Sequence, residues 1–172
     1  MNVSKVMISK EEIELKVKEI ASKIEKDYEG QELFVIGVLK GACVFVSDLI
    51  REINLPVTLD FMAVSSYGMS TESSGIVRII KDLDMDITGM NVLIVEDIID
   101  TGLTLNYLRE YLAARHVKSL KICTLLDKPQ RRKCDVLADY VGFSIEDKFI
   151  VGYGIDCKAQ YRNLPYIAAV ED

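Results

Sequence analysis

The segment that decides the fold is VLIVEDIIDTGLTL, which runs from Val92 to Leu105. Its first half is a nearly continuous apolar run that ends in Glu96 and Asp97, and such a run is typical of a buried parallel strand. Its second half begins with DTGLT at 100–104, which is small and polar and leads into apolar residues at helical spacing. The segment therefore predicts a strand, a tight turn and a helix, which together form the repeating unit of a parallel α/β sheet.

The neighbouring segments extend this pattern in both directions. Ser9-Lys10-Glu11-Glu12 is a capping box that begins a helix, and Gly30 ends it. Further helices are predicted after residue 40 and at 103–114, and strands at 33–39, 56–66, 75–80, 91–96, 117–127, 140–145 and 149–156. We therefore predict the α/β class, with a central, mostly parallel sheet flanked by helices. Ligands of such sheets bind at the carboxyl ends of the strands.

The composition excludes several classes of protein. The chain has 172 residues and a net charge of −6, so it is long enough for one domain and poorly suited to nucleic acid, which needs a basic patch. It has no apolar run of the roughly 18 residues that a transmembrane helix needs, and no apolar segment typical of a secretion signal at its start. We therefore expect a cytoplasmic protein without membrane contact. Its four cysteines and single histidine lack the spacing of a zinc site.

The turn at 100–104 has the features of a phosphate site. Backbone amides at the start of a helix are unpaired and carry partial positive charge. Gly102 allows a ligand to approach the backbone closely, and Thr101 and Thr104 add hydroxyl donors. The sequence has neither a Walker loop nor the GxGxxG pattern of dinucleotide-binding proteins, so the turn is a different kind of phosphate site.

Three carboxylates beside this turn require an explanation. Glu96 and Asp97 lie at the predicted exit of the strand, where they could bind a hydrated Mg²⁺ or accept hydrogen bonds from a sugar. The simpler alternative is that Asp100 only caps the helix and that the other two acids are solvated. A helix cap needs a single acid, so the combination favours a ligand with both a ribose and a phosphate.

The segment at 92–105 resembles the phosphoribosyl pyrophosphate (PRPP) motif of type I phosphoribosyltransferases. Nearly the whole chain resembles the hypoxanthine-guanine branch of that family in its short bacterial form. The supporting segments are GVLKGACVF (37–45), SSYG (65–68), LLDKP (125–129), DKFIVGYGID (147–156) and YRNLPYI (161–167). The resemblance implies the type I phosphoribosyltransferase fold as a single domain over 1–172. Its core would cover roughly 10–140, with a small hood from the N-terminal segment and roughly 141–172, and with a flexible lid loop.

The resemblance also implies a reaction in purine salvage. Ribose 5-phosphate passes from PRPP to N9 of hypoxanthine or guanine, with Mg²⁺ as cofactor, and the products are IMP or GMP and pyrophosphate. The family further implies a homodimer or homotetramer. No nucleic acid and no membrane are expected as partners.

The motif at 92–105 supplies most of the implied site. The resemblance assigns Asp100 as the general base near N7 of the purine. It assigns Glu96 and Asp97 to the ribose hydroxyls and to the metal. The remaining substrate-binding residues of this motif are Ile98, Ile99, Thr101, Gly102, Leu103 and Thr104.

Other segments are implied to hold the pyrophosphate. Lys40 and Gly41 match the pyrophosphate loop, in which the Leu39–Lys40 peptide can be cis. Arg162 matches an arginine that contacts pyrophosphate, and Arg132 is a second candidate for that contact. Asp156 matches a further metal ligand that acts through the pyrophosphate. Ser66 and Tyr67 match the mobile lid, although a plain hairpin turn is equally compatible with their sequence.

The purine would be held by Lys128 and the segment from Phe149. Lys128 matches the lysine that donates to the exocyclic O6, and because an ammonium cannot accept a hydrogen bond, it selects a carbonyl over an amine. Phe149 matches the ring that stacks on the purine, although an aromatic residue is more often part of a core. The backbone carbonyls of Ile150 and Asp156 would face N1 and the 2-amino group of guanine.

Several alternatives remain open at this stage. An enzyme of the same fold could accept xanthine, and Lys128 with Phe149 argues against adenine. A regulator that senses PRPP or nucleotides would need a basic surface or an added DNA-binding domain, which the net charge and length disfavour. A noncatalytic scaffold is disfavoured because the acids and lysines of the motif are all present.

Overall fold

The structure is a computed structural model that describes residues 2–66 and 77–171. In chain order the elements are β1 Asn2–Ile8, α1 Lys10–Asp27, β2 Leu33–Leu39, α2 Cys43–Glu52, β3 Val57–Ser66, β4 Val77–Lys81, β5 Asn91–Ile99, α3 Leu103–Ala113, β6 Ser119–Asp127, a short 3₁₀ helix at Pro129–Arg131, β7 Tyr140–Ser144, β8 Ile150–Val151 and β9 Ile167–Glu171. The predicted helices and most predicted strands are therefore present.

The central sheet has six strands in the order β4-β3-β2-β5-β6-β7. Strands β3, β2, β5, β6 and β7 are parallel to their neighbours, and only β4 runs antiparallel, along the outer edge of β3. The mostly parallel α/β sheet predicted from the sequence is thus confirmed. The five parallel strands end at the same edge, so the segments that follow them meet there.

Both faces of this sheet are covered, which explains why its strands are continuous apolar runs. Along β2, Leu33 and Val35 pack with α1 and α2 on one face. Phe34 and Ile36, which alternate with them, pack with α3 on the other face. Strands that are buried on both faces lack the polar alternation of half-exposed strands.

Helix α1 begins as the sequence predicts. The Glu12 amide donates to Ser9 Oγ at 3.1 Å, and the Ser9 amide donates to Glu12 Oε2 at 2.7 Å, so both halves of the capping box are formed. The apolar residues at helical spacing are buried; they are Ile13, Val17, Ile20, Ala21 and Ile24. The cap satisfies two amides that would otherwise lack a partner, and the buried stripe fixes the helix on the sheet.

A second sheet of three antiparallel strands has the order β1-β9-β8. The sequence pattern predicted neither β1 nor β9, and β8 is much shorter than the predicted strand at 149–156. The reason is a series of residues with positive φ, Gly152, Tyr153 and Gly154, at 106°, 50° and 97°. Extended strands need negative φ, so β8 ends at Val151.

Strand β5 is longer than predicted. Pairing with β6 continues to Ile99 opposite Asp127, whereas pairing with β2 stops at Gly37 opposite Val95. The last residues of β5 therefore have a strand on one side only. Glu96 and Asp97 lie within the strand and not at its exit.

The predicted lid lies between two paired strands. Strands β3 and β4, which precede and follow it, form an antiparallel pair. Ser66 is the last residue of β3, and Tyr67 with the rest of the predicted lid lies outside the described residues. Among the helices of residues 2–66 and 77–171, none is long and apolar enough to cross a membrane.

Removing the α1 cap should destabilise the protein measurably. We expect Ser9→Ala to lower the free energy of unfolding by about 1 kcal/mol, because one helix amide loses its acceptor. Ser22→Ala, an identical change at an exposed position inside the same helix, is the control and should raise it by up to about 0.5 kcal/mol. Urea unfolding followed by circular dichroism measures both, and equal effects would contradict the capping role.

Candidate active site

The carboxyl edge of the central sheet brings together most of the residues singled out from the sequence. Four parts of the chain lie along this edge: the segment after β2, the end of β5, the start of α3 and the segment after β6. The segment at 152–162, which lies between β8 and β9, packs on it from the second sheet. Two halves can be distinguished: one around Asp97 and Gly41, the other around Asp100 and Lys128.

Gly41 is the most closely packed point of the first half. The Leu39–Lys40 peptide before it is cis, in agreement with the family resemblance. A Cβ atom on Gly41 would lie 1.9 Å from Asp97 Oδ2, and one on Gly154 would lie 2.3 Å from the Gly41 carbonyl oxygen. Neither distance is compatible with a side chain. The backbone of Gly41 therefore fits between the Asp97 carboxylate and the turn at Gly154 only because both glycines lack one.

Arg162 fixes this turn from the other side. Its Nη1 donates to the Gly154 carbonyl oxygen at 2.7 Å, and its Nη2 lies 3.1 Å from Asp156 Oδ1. Asp156 Oδ2 also accepts from the Ala159 amide at 2.7 Å. The guanidinium charge of Arg162 also acts on Asp97, where it favours the ionised form. Arg162 thus lies near the Gly41 segment, while Lys40 extends its side chain into solvent.

Glu96 and Asp97 are two neighbouring carboxyls with little access to water. Glu96 is only 9% exposed, because it lies inside β5 opposite Thr124. Burial raises the pKa of Glu96 well above its ordinary value, and the charge of Asp97 raises it further. Burial also raises the pKa of Asp97, although the Ile98 amide, which donates to Asp97 Oδ1 at 2.7 Å, partly opposes this. The pair therefore favours a shared proton or a cation.

The three residues predicted as metal ligands are divided between two places. Glu96 and Asp97 are adjacent, whereas Asp156 is engaged by Arg162, and the described residues contain no group of three acidic, cysteine or histidine side chains that could hold a metal. Mg²⁺ commonly keeps several waters and is held by one or two carboxylates together with substrate phosphates. The buried carboxylate pair fits that kind of binding, in which the cation arrives with a phosphate ligand.

The turn at 100–104 forms the expected anion cup. Gly102 has φ 83°, a backbone conformation that favours glycine. A Cβ there would also lie 2.9 Å from Arg132 Cδ, so the Arg132 side chain would have to shift. Helix α3 begins directly after Gly102, and the turn lines a cavity of about 110 Å³. The Leu103 amide donates to Thr101 Oγ1 at a long 3.4 Å. The cavity is lined by Glu96, Ile98, Ile99, Asp100, Thr101, Gly102, Thr104 and Leu105. Ile99 is itself buried in the core beneath the cup.

The second half contains Lys128 and Phe149. Lys128 is 7% exposed, and its Nζ donates to the Lys148 carbonyl oxygen at 2.7 Å. Phe149 is 56% exposed, so the face of its ring is accessible for stacking. Ile150 is buried in β8 and fixes the position of Phe149.

In this half the sequence indicated no role for Arg131 or Asp147, and it suggested a different role for Arg132. Arg131 lies between Asp100 and Asp147 and forms ion pairs with both, at 2.5 and 3.1 Å. Arg132, a candidate for the pyrophosphate, donates instead to the Asp100 carbonyl oxygen at 2.7 Å and to Asp127 at 2.5 Å. It therefore supports the anion cup from behind. The only sequence signal for these roles was the cluster of charges next to Lys128 and Phe149.

The sequence matches one protein family over most of its length. The profile of the phosphoribosyl transferase domain covers residues 7–158. The chain is 54% identical over 170 residues to the hypoxanthine-guanine phosphoribosyltransferase of Bacillus subtilis, covering 99% of this chain and 94% of that protein. It is 49% identical over 176 residues to that of Mycobacterium avium, covering 99% of this chain and 87% of that protein.

Solved structures agree with the sequence matches. A crystal structure of a hypoxanthine-guanine phosphoribosyltransferase from Bacillus anthracis superimposes with a TM-score of 0.96 and 56% identity, covering 99% of this chain and 100% of that one. A hypoxanthine phosphoribosyltransferase from Staphylococcus aureus gives a TM-score of 0.95 at 50% identity, covering 98% and 92%. The likeness therefore extends over nearly the whole fold.

The buried pair Glu96 and Asp97 should make stability depend on pH. The folded protein retains protons that the unfolded chain releases above about pH 4.5, so the free energy of unfolding should fall as pH rises from there through the pKa of folded Glu96. We expect Glu96→Gln to weaken this decline and to raise the urea midpoint at pH 8. Unfolding between pH 5 and 8, with a metal chelator present, measures it.

The control is Glu110→Gln, which makes the same change on the exposed side of α3. It should leave the pH dependence of unfolding as in the parent protein. A Glu96→Gln protein with the parental pH dependence would show that Glu96 does not hold the extra proton.

Proposed function

The chain belongs to the phosphoribosyl transferase family, and we propose that it works in purine salvage by transferring ribose 5-phosphate from PRPP to hypoxanthine or guanine. The new bond forms at N9 of the purine, the bond from C1 of the ribose to pyrophosphate breaks, and IMP or GMP is released. One observation carries the proposal. A phosphate cup, a buried pair of acids and a buried lysine beside an exposed phenylalanine meet at one sheet edge, in the order that a purine nucleotide requires.

The sugar and its 5-phosphate bind at the cup and the two acids. Thr101, Gly102, Leu103 and Thr104 offer backbone amides and hydroxyls to the phosphate, and the start of α3 adds partial positive charge. Glu96 and Asp97 accept from the ribose hydroxyls. The lining of the cup supports a phosphate here, since it is formed by the turn at 100–104 and the start of α3.

Pyrophosphate binds on the opposite side of the ribose, at Lys40, Gly41 and Arg162. The close contact between Gly41 and Asp97 supports this arrangement, because it sets the pyrophosphate loop directly beside the ribose acids. Arg162 offers a planar fork of donors that suits a phosphate. These cations stabilise the charge that develops on the leaving group in the transition state.

The purine stacks on Phe149, with Lys128 at its O6. The ammonium of Lys128 only donates, so the site favours a 6-oxopurine over adenine. Ile98 lies at the cup, where it provides an apolar contact for the substrate. The backbone carbonyls of Ile150 and Asp156 face N1 and the 2-amino group. Asp100 lies beside this position and takes the proton from N7 as the new bond forms.

Glu96, Asp97 and Asp156 would hold a Mg²⁺ that arrives with PRPP. The ion would supply positive charge to the pyrophosphate, while the three carboxylates orient it. A shared role with the substrate phosphates is supported by the described residues, which offer no ready-made cage of three ligands.

The remaining parts of the proposal concern the whole molecule. A single domain spans 1–172, its core covers roughly 10–140, and the three-stranded sheet serves as the hood over the purine. Ser66 and Tyr67 begin a lid that excludes water during the reaction, which protects the reactive sugar from hydrolysis. The protein acts in the cytoplasm as a homodimer or homotetramer.

A panel of four bases tests the function. The protein is mixed with PRPP, Mg²⁺ and either hypoxanthine, guanine, xanthine or adenine, and nucleotide formation is followed by absorbance. We expect turnover with hypoxanthine or guanine and essentially none with adenine. Turnover with xanthine would support the broader 6-oxopurine enzyme, and no turnover with hypoxanthine or guanine would refute the proposal.

Gly41→Ala tests the pyrophosphate loop. The added Cβ would meet Asp97 Oδ2 at 1.9 Å, so either the loop or the ribose carboxylate must move. We expect kcat/KM for PRPP to fall by roughly 100-fold, the cost of about 1 Å of misplacement. Gly30→Ala, where a Cβ meets nothing within 4 Å, controls for the loss of a glycine. Because Gly30 has φ 72°, this variant should lose about 1 kcal/mol of stability but keep full activity below its unfolding temperature. Equal activity of both variants would contradict the role of the loop.

A further inference from the structure

Four side chains of alternating charge form a continuous bridge along the purine side of the site. Arg131 Nε lies 2.5 Å from Asp100 Oδ1, and Arg131 Nη1 lies 3.1 Å from Asp147 Oδ2. Asp147 Oδ1 in turn lies 3.5 Å from Lys128 Nζ. We call these four residues the charge bridge. Its two ends are the residues that face the purine in the proposed function, and its two middle members have no role there.

Within the described residues, each end of the bridge keeps one hydrogen-bonding position available for a ligand. Arg131 engages only Oδ1 of Asp100, and within the described residues no hydrogen bond to Asp100 Oδ2 is formed. Lys128 has three donors, of which the Lys148 carbonyl oxygen takes one and Asp147 another. One acceptor therefore remains at Asp100 for a purine proton, and one donor remains at Lys128 for an exocyclic oxygen.

We propose that Arg131 and Asp147 are positioning residues that set Asp100 and Lys128 at the correct separation for a 6-oxopurine. Neither touches the substrate; each acts through the end of the bridge that it holds. This inference rests on the proposed function, because it assigns Asp100 and Lys128 to N7 and O6. It deepens that function by naming what fixes the two contacts relative to each other.

The geometry of Arg131 suits this task. A guanidinium is a rigid plane whose nitrogens diverge at fixed angles, so a single arginine can hold two carboxylates at a set distance. The Arg131 side chain uses Nε for one and Nη1 for the other. A lysine at the same position would carry the charge, but its single nitrogen could not span both carboxylates in this way.

Stability alone does not account for the bridge. The side chains of Arg131 and Asp147 are 42% and 46% exposed, and ion pairs that solvent reaches contribute little to folding. Lys128, in contrast, is almost fully buried, so its ammonium needs fixed partners to remain oriented. The exposed pair Arg131 and Asp147 thus orients the buried ammonium of Lys128.

Removing the middle of the bridge tests the proposal. The variants are Arg131→Met, Asp147→Asn and the double variant. We expect kcat/KM for hypoxanthine to fall roughly 10- to 100-fold in each single variant, because the two contacts lose their alignment. KM for PRPP should stay within about twofold, since neither substituted side chain lines the cup or contacts Gly41. The double variant should be no worse than the poorer single one, because the bridge acts as one unit.

Two further variants separate positioning from charge. Lys133→Met removes an exposed cation from the same segment without touching the bridge, and it should behave as the parent protein. Arg131→Lys keeps the charge and should recover less than half of the lost kcat/KM. Losses that add in the double variant, full recovery by Arg131→Lys, or an equal loss in Lys133→Met would each overturn the proposal.

A binding measurement distinguishes failure of the bridge from failure of the function. GMP is titrated calorimetrically into the parent protein and into Arg131→Met. A parent protein that turns over hypoxanthine, with variants equal to it in turnover and GMP affinity, would refute the bridge alone. A parent protein that neither binds GMP nor turns over would refute both proposals. Weaker GMP binding by Arg131→Met, with unchanged binding of pyrophosphate, is the expected result.

Discussion

The contact of the Gly41 backbone with Asp97 on one side and Gly154 on the other determines how the site is assembled. It joins the end of β2 to the end of β5 and joins both to the segment of the second sheet. Any side chain at Gly41 or Gly154 would occupy the space of its neighbour. Arg162 then closes the arrangement through the Gly154 carbonyl oxygen. The position of the Asp97 carboxylate relative to the Gly41 segment is therefore set by contact with the Gly41 backbone, which has less freedom to move than a side chain.

The site resolves a conflict of charge in two different ways. The proposed substrate is a polyanion, yet the proposed sugar site contains two buried carboxyls, and burial raises the pKa of both. We propose that a shared proton or a cation arriving with the substrate reduces the conflict there. On the purine side the acids Asp100 and Asp147 are instead balanced by Arg131 and Lys128 within the protein.

The sequence predicted most of the sheet because its strands are local patterns. Strand β5, the capping box at Ser9 and the helix after Gly102 each follow from a few adjacent residues. What could not be predicted depends on residues far apart in the chain. Glu96 lies inside a strand only because β6 continues to pair with β5. Arg131 meets Asp147 because β7 pairs with β6, so that the residues after the two strands lie side by side. The sequence shows that Arg131 lies near Lys128 and Asp147 near Phe149, but it does not show that the two charges pair.

The pairing of β1 with β9 has a consequence for how the molecule is assembled during folding. Asn2 lies opposite Glu171, so this pair closes nearly the whole chain into one loop. Strand β8, which carries Ile150, is held in the same sheet by β9. Contacts between distant residues carry the largest loop-closure cost and form slowly. The cup at 100–104 depends only on β5 and α3, which are adjacent in the chain, so it can form early. The segment with Phe149 depends on the pairing of β8, β9 and β1, so we expect it to be completed last.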